Sequence, residues 1–241
     1  MSGNCADHAT VANNERTTIV CFSPEVDLAA GLVIGAVGID ALRHLRTPAQ
    51  RPLAALPLVF AGHQLIEAIA WWGLQGTVPA AIGHAAEWLY LAIAFGVLPI
   101  LVPVAVGALD PIAHRLRTGM FVAVGIAVAF ALMYAVVRGP IVATINGHYI
   151  SYHVGLWHGG TLVVLYVLAT CGSLLASGHG HVRAWGAVNL LAVGVLAWVN
   201  TAGFISLWCV WAAITSIAIA VHLRYAPHEP QALALTHAGR R

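Results

Sequence analysis

Two glutamates stand where membrane-crossing helices would carry them into hydrocarbon. His63 and Glu67 form an i, i+4 pair that one helix would present on a single face with Trp71, and His84 and Glu87 form an i, i+3 pair on the next apolar stretch. A carboxyl in the bilayer core costs at least about 2.5 kcal/mol even on the lenient insertion scale, so it must be protonated, paired or solvated by a cavity. The first option is acid–base chemistry. A neutral carboxylic acid beside a histidine or tyrosine can exchange a proton with a lipophilic substrate, with Glu67 as acid or base, Glu87 its partner, and His148 and Tyr152 auxiliary donors. Cyclase-like or isomerase-like chemistry on a lipophilic small molecule is the leading expectation. The second option is a metal site. His63, Glu67, Glu87 and His153 or His158 offer mixed nitrogen and oxygen ligands suited to zinc, iron or copper, which makes a divalent metal the candidate cofactor of an oxidoreductase or hydrolase. No helix carries His-x-x-x-His or Glu-x-x-His, however, so the ligands would come from three separate spans. The third option is a small-solute or proton transporter, or a receptor.

These side chains need helices to place them. Of 241 residues, 60% are hydrophobic and 8% charged, and the mean hydropathy of +0.83 lies far outside globular usage, so the lipid bilayer is the expected partner. A net charge of +2 leaves no basic face for nucleic acid. All eleven basic residues are Arg, and without lysine no retinal Schiff base can form. Four cysteines without CxxC spacing predict one bridge at most. Apolar stretches at about Val26–Leu42, Leu53–Leu74, Ala80–Leu109, Gly119–Val137, His153–Ala176, Ala184–Gly203 and Phe204–Leu223 predict an all-α, seven-helix transmembrane bundle. Nine of the eleven arginines fall on one side of these spans, so the positive-inside bias places a multi-pass protein in the cell membrane with its N-terminus outside and C-terminus cytoplasmic. Residues 1–20 lack a signal-peptide core and read as a disordered arm or untranslated extension, 21–224 as the membrane domain, and 225–241 as a disordered cytoplasmic tail. Gly31 and Gly35 have the spacing of close helix packing within the bundle.

With that orientation most in-membrane polar groups fall in the outer half. Glu67 lies about 21 Å from the inner end of the second span and Glu87 about 10 Å below the outer end of the third, so both reach similar depth. Seven of the eight tryptophans share that half. An interfacial belt accounts for Trp72 and Trp157, whereas Trp71, Trp88, Trp208 and Trp211, with Gln64 and Asn200, are expected to line an outward-opening substrate pocket. Val142–Ser151, two β-prone arms around Asn146-Gly147, predict a short outer β-hairpin between spans four and five, covering the pocket. The inner half is drier. Thr170, Asn189 and Thr215 are its chief polar groups, which argues against a through-membrane carrier, and Asp40 reads as an interfacial ion pair with Arg43 and His44.

Cys21-Phe22-Ser23, the run His63-Gln64-Leu65-Ile66-Glu67 with Trp71, and Gly147-His148-Tyr149-Ile150-Ser151-Tyr152 resemble a bacterial multi-pass membrane family of no assigned function, over residues 21–224. Its members typically open Met-Cys-Phe-Ser, carry Gln-x-x-Glu and then Trp on the second span, and have Gly-His-x-Ile-x-Tyr after the fourth. Many carry Gln in place of His63, so the resemblance transfers to Gln64, Glu67, His148 and Tyr152. It also implies that Val20 stands at an alternative start, with Cys21 the second residue. Seven-span terpene cyclases place a glutamate on their second span too, but that likeness is architectural, and no acidic residue here matches theirs on span seven.

Overall fold

The computed structural model describes residues 23–110, 115–147, 149–156, 158–199 and 204–225, with backbone only at 115, 199, 204–210, 212 and 213. The chain is mostly helical. Ser23 opens α1 (Pro24–Arg43), its hydroxyl accepting from the Val26 N–H at 3.4 Å, while Pro24 and the acids Glu25 and Asp27 occupy the first turn. The Ser23 hydroxyl and backbone N–H groups hold the Glu25 carboxyl below the ordinary glutamate range.

Then follow α2 (Arg51–Leu74), α3 (Ala80–Leu91), a π-helical turn (Ala92–Val97) and α4 (Leu98–Leu109). The α3, π and α4 segments form one rod. Beyond α5 (Arg115–Arg138) lie the hairpin strands β1 (Val142–Asn146) and β2 (Tyr149–His153), and then α6 (Gly159–Val167), a second π-helical turn (Leu168–Gly172) and α7 (Ser173–Leu175). The described chain closes with α8 (Gly180–Val199) and α9 (Phe204–Tyr225). Counting continuous rods, the described residues hold seven helices and one small antiparallel sheet. Four helices are long and apolar enough to cross a membrane: Pro48–Leu74, Ala80–Leu109, Leu116–Arg138 and Gly180–Trp198.

The expected element boundaries hold within a few residues, with one exception. Helix α6 starts at Gly159 rather than His153, because β2 continues through His153 to pair with Val142. Asn146 belongs to the strand rather than to the turn. Asn146 is the last paired strand residue, opposite Tyr149, and Gly147 supplies the positive φ of 62° that a tight hairpin demands. The calls for residues 1–20, the Cys21 end and the tail beyond Tyr225 lie outside the described residues.

Helices α1 and α2 form the tightest pair. A Cβ added to Gly31 would come 2.8 Å from the Leu65 side chain, which bears out the bundle-packing reading of that glycine. At the far end of α2, Gly73 touches Gly83 of α3 backbone to backbone, so the turn between these helices closes only because neither carries a side chain. The main apolar core, built around Ile34, Leu56, Phe60, Leu98 and Leu223, lies toward the arginine-rich end. Conversely, large apolar side chains such as Leu116, Phe130 and Leu191 point outward, as lipid contact requires and water contact would penalise.

Candidate functional site

The expected polar layer exists, and its composition differs from the one read in sequence. Helix α2 presents His63, Gln64 and Glu67 to the bundle interior, all buried, with Glu67 only 1% exposed. The carboxyl of Asp27 on α1, also 1% exposed, is in electrostatic contact with Glu67. Gln64 Nε2 donates to Asp27 Oδ1 at 3.4 Å, and the Trp71 indole lies against the same carboxyl. Asp27 Oδ2 and Gln64 Oε1 are buried without a donor at hydrogen-bond distance among the described residues. Asp27 is thus a site residue that the sequence analysis did not single out. An acid in the first turn of a helix reads as an ordinary helix-end charge, and only its burial marks it out.

Aromatic rings build the other wall. His63 stacks on Tyr90 of α3 at a centroid distance of 3.8 Å, and Tyr90 stacks in turn on Tyr152 of β2 at 4.9 Å. The His63 ring also meets the Tyr90 backbone carbonyl, at the edge of the π-helical turn. Such turns space backbone bonds over five residues and free carbonyls for side chains. The Ala94 carbonyl, within the same turn, accepts from the Tyr166 hydroxyl at 2.9 Å. Tyr152 therefore reaches the layer as expected, while Tyr90 was missed: three residues beyond Glu87, it lies on the same helical face.

Glu87 shares the buried α3 face of Tyr90, and several other expected residues go elsewhere. Glu87 is buried and its Oε2 lies 3.3 Å from His84 Nδ1, whose ring reaches the surface. Trp88, 43% exposed, does not line the layer, because the α3 face it occupies points outward. Trp211 is drawn toward the other end of the bundle, donating to Asn189 Oδ1 at 2.8 Å and stacking on Trp185. His153 and His158 are exposed, at the end of β2 and in a left-handed residue before α6, so they do not join His63, Glu67 and Glu87. Among the described residues no three His, Cys, Asp or Glu side chains come close enough to hold a metal ion. His148, Asn200 and the Trp208 side chain, also expected at the site, lie outside the described residues.

The hollow expected beneath the hairpin is filled. Ile150, 1% exposed, plugs the space against Trp71, Ala70 and Ala86, and Tyr152 continues the ring stack below it. The hairpin is a plug rather than a cover, since its inward strand face carries large side chains. A cavity of about 260 Å³ opens instead in the other half, walled by α2, α4, α6 with its π-turn, α8 and α9. Phe60 and Leu98 mark its upper end, one helical turn from His63, and Thr170, Asn189 and Thr215 contribute polar atoms to a mainly apolar lining.

A model of a family of unknown function, DUF6629, matches residues 20–233. The chain belongs to that family. Neither a curated protein nor a solved structure matches it. Membership accords with the resemblance drawn from the Cys-Phe-Ser, Gln-x-x-Glu and Gly-His-x-Ile-x-Tyr segments and carries no activity with it. At the arginine-rich end of this family member, Asp110 closes α4 onto the turn before α8: its Oδ1 accepts from Ser177 Oγ at 2.7 Å and Gly178 N at 3.0 Å, with His179 Nδ1 at 3.4 Å. Asp40 meets His44 at 3.5 Å as expected, and its second partner is Arg224 of α9 at 3.8 Å rather than Arg43.

Proposed function

We propose that this protein is a seven-span membrane enzyme that carries out acid–base chemistry on a lipophilic small molecule, its N-terminus outside the cell and its C-terminus in the cytoplasm. One observation carries the reading: Asp27 and Glu67, from different helices, are both buried and in electrostatic contact, and Gln64, one helical turn before Glu67 on α2, donates to Asp27. Two carboxyls in a shared dry site repel when both are charged, so the pair keeps a transferable proton. His63 and the Tyr90–Tyr152 stack stand between this pair and the top of the cavity at Phe60, about 10 Å below Glu67 along α2. The substrate's apolar body occupies the cavity and its reactive end meets the polar layer through His63. Cyclisation or isomerisation fits, since both need only a proton given and a proton taken.

The test uses solvent deuterium. Purified protein in D2O, incubated with a lipid extract of the expressing membrane, should place deuterium in one lipid species. Glu67→Gln and Asp27→Asn should abolish the incorporation while melting near wild type. Equal labelling by the variants would defeat the proposal.

A proton or small-solute pathway is the second reading. It is favoured by Thr170, Asn189 and Thr215 lining the cavity, so polar atoms occur in both halves of the bundle. Proteoliposomes loaded with a pH dye separate the two: a proton leak blocked by Glu67→Gln supports a pathway, and tight vesicles support the enzyme.

A further inference from the structure

The cavity has a shape and a rim that together specify an occupant. Its lining on α4 runs from Leu98 to Leu109, on the order of 16 Å, so the space is elongated along the bundle. The polar atoms along it are spoken for. Asn189 accepts from Trp211 and donates to the Trp185 carbonyl at 2.9 Å, and Thr170 donates to the Tyr166 carbonyl at 2.9 Å. The body of the cavity therefore suits an unbranched apolar chain.

Its arginine-rich end is different. His181 of α8 and His222 of α9 both line the cavity there, their rings 4.8 Å apart, and His179 stands 5.6 Å behind His181. Arg46 acts on His222 electrostatically, and its guanidinium donates to the Arg224 carbonyl at 3.1 Å. The carboxylates nearby are engaged elsewhere, Asp40 with Arg224 and His44, and Asp110 with Ser177, Gly178 and His179. At this end the cavity is thus lined by the imidazoles of His181 and His222, with Arg46 acting on His222 from behind, above a greasy tube.

We infer that the cavity binds a single-chain amphiphile with an anionic head, its chain lying along α4 and its carboxylate or phosphate set against the imidazole N–H groups of His181 and His222. The inference rests on the reading that the cavity seats the lipophilic molecule, and it names that molecule's class. It can be tested without turnover, because Trp185 is part of the lining.

In nanodiscs of zwitterionic lipid, 12-bromododecanoate should quench Trp185 fluorescence, a signal assigned by its loss in Trp185→Phe. The methyl ester should need at least about tenfold more. Dodecanoate and dodecyl phosphate should compete, and whichever does so at lower concentration identifies the head; competition by neither overturns the proposal. Inorganic phosphate alone should not compete, and full competition by it would show that the chain is irrelevant. His181→Ala with His222→Ala should erase the preference for acid over ester while ester quenching persists. Ala218→Leu, which narrows the tube, should weaken both, with the melting temperature reporting that the bundle is intact. Equal quenching by acid and ester in the native protein would also sink it. Glu67→Gln should quench like wild type, so lost chemistry with retained binding separates failure of the catalytic reading from failure of this one.

Discussion

Tyr90 is the residue on which the polar layer turns. Fully buried between His63 and Tyr152, it joins α2, α3 and β2 through two ring stacks. Tyr90→Ala should cost about 3–5 kcal/mol, as expected for loss of a buried aromatic, whereas Tyr90→Phe keeps both stacks and should cost clearly less. Thermal unfolding in detergent compares them, and equal melting of Tyr90→Ala and wild type would show that the stack is not a joint. Gln64 and Glu67 were legible at this scale because polar side chains in an apolar run are conspicuous. Tyr90 was not, since a tyrosine among apolar residues is unremarkable until its neighbours are known.

At the scale of elements, boundaries were easy to read and contacts were not. Long apolar runs ending in Pro, Gly or Arg give helix limits directly. The close approach of α2 and α3 at Gly73 and Gly83 is invisible in sequence, because nothing local says which two glycines meet. Gly73→Ala should destabilise the bundle by about 1–3 kcal/mol through overpacking against the Gly83 backbone, while Gly62→Ala, with open space around it, should be neutral. The π-turns have no sequence signature either. They arise where side chains from another helix take up the freed carbonyl, as Tyr166 does at Ala94, so Tyr166→Phe should cost about 0.5–1.5 kcal/mol.

The whole molecule has two polar centres at opposite ends of one bundle. The Asp27–Gln64–Glu67 layer lies under the hairpin, and the histidine rim lies beside the Asp110 clamp that fastens α4 to the start of α8. Ser177→Ala removes a donor from a buried carboxyl and should lower stability by about 1.5–3 kcal/mol, loosening the rim while leaving the hairpin end packed. Hydrogen exchange localises the change: increased exchange at the start of α8 with β2 unaffected is the expected pattern, and uniform exchange throughout would contradict it. The seven spans proposed above would place the termini on opposite faces. A C-terminal green fluorescent protein should therefore fluoresce in the cytoplasm while an N-terminal epitope is cleaved from intact spheroplasts, and both tags on one side would rule out seven spans.

By itself the amino-acid sequence determined the helical class, the helix limits, the hairpin, the family and the burial of Glu67, because composition and periodicity register the cost of placing each side chain in hydrocarbon. Tertiary structure alone decided that Asp27 comes into electrostatic contact with Glu67, that Ile150 and Tyr152 fill the expected hollow, and that a cavity opens at the arginine-rich end. The reason is geometric. A helix's own sequence fixes which residues share its faces, but the rotation and depth at which it meets its neighbours follow from the packing of all the helices at once.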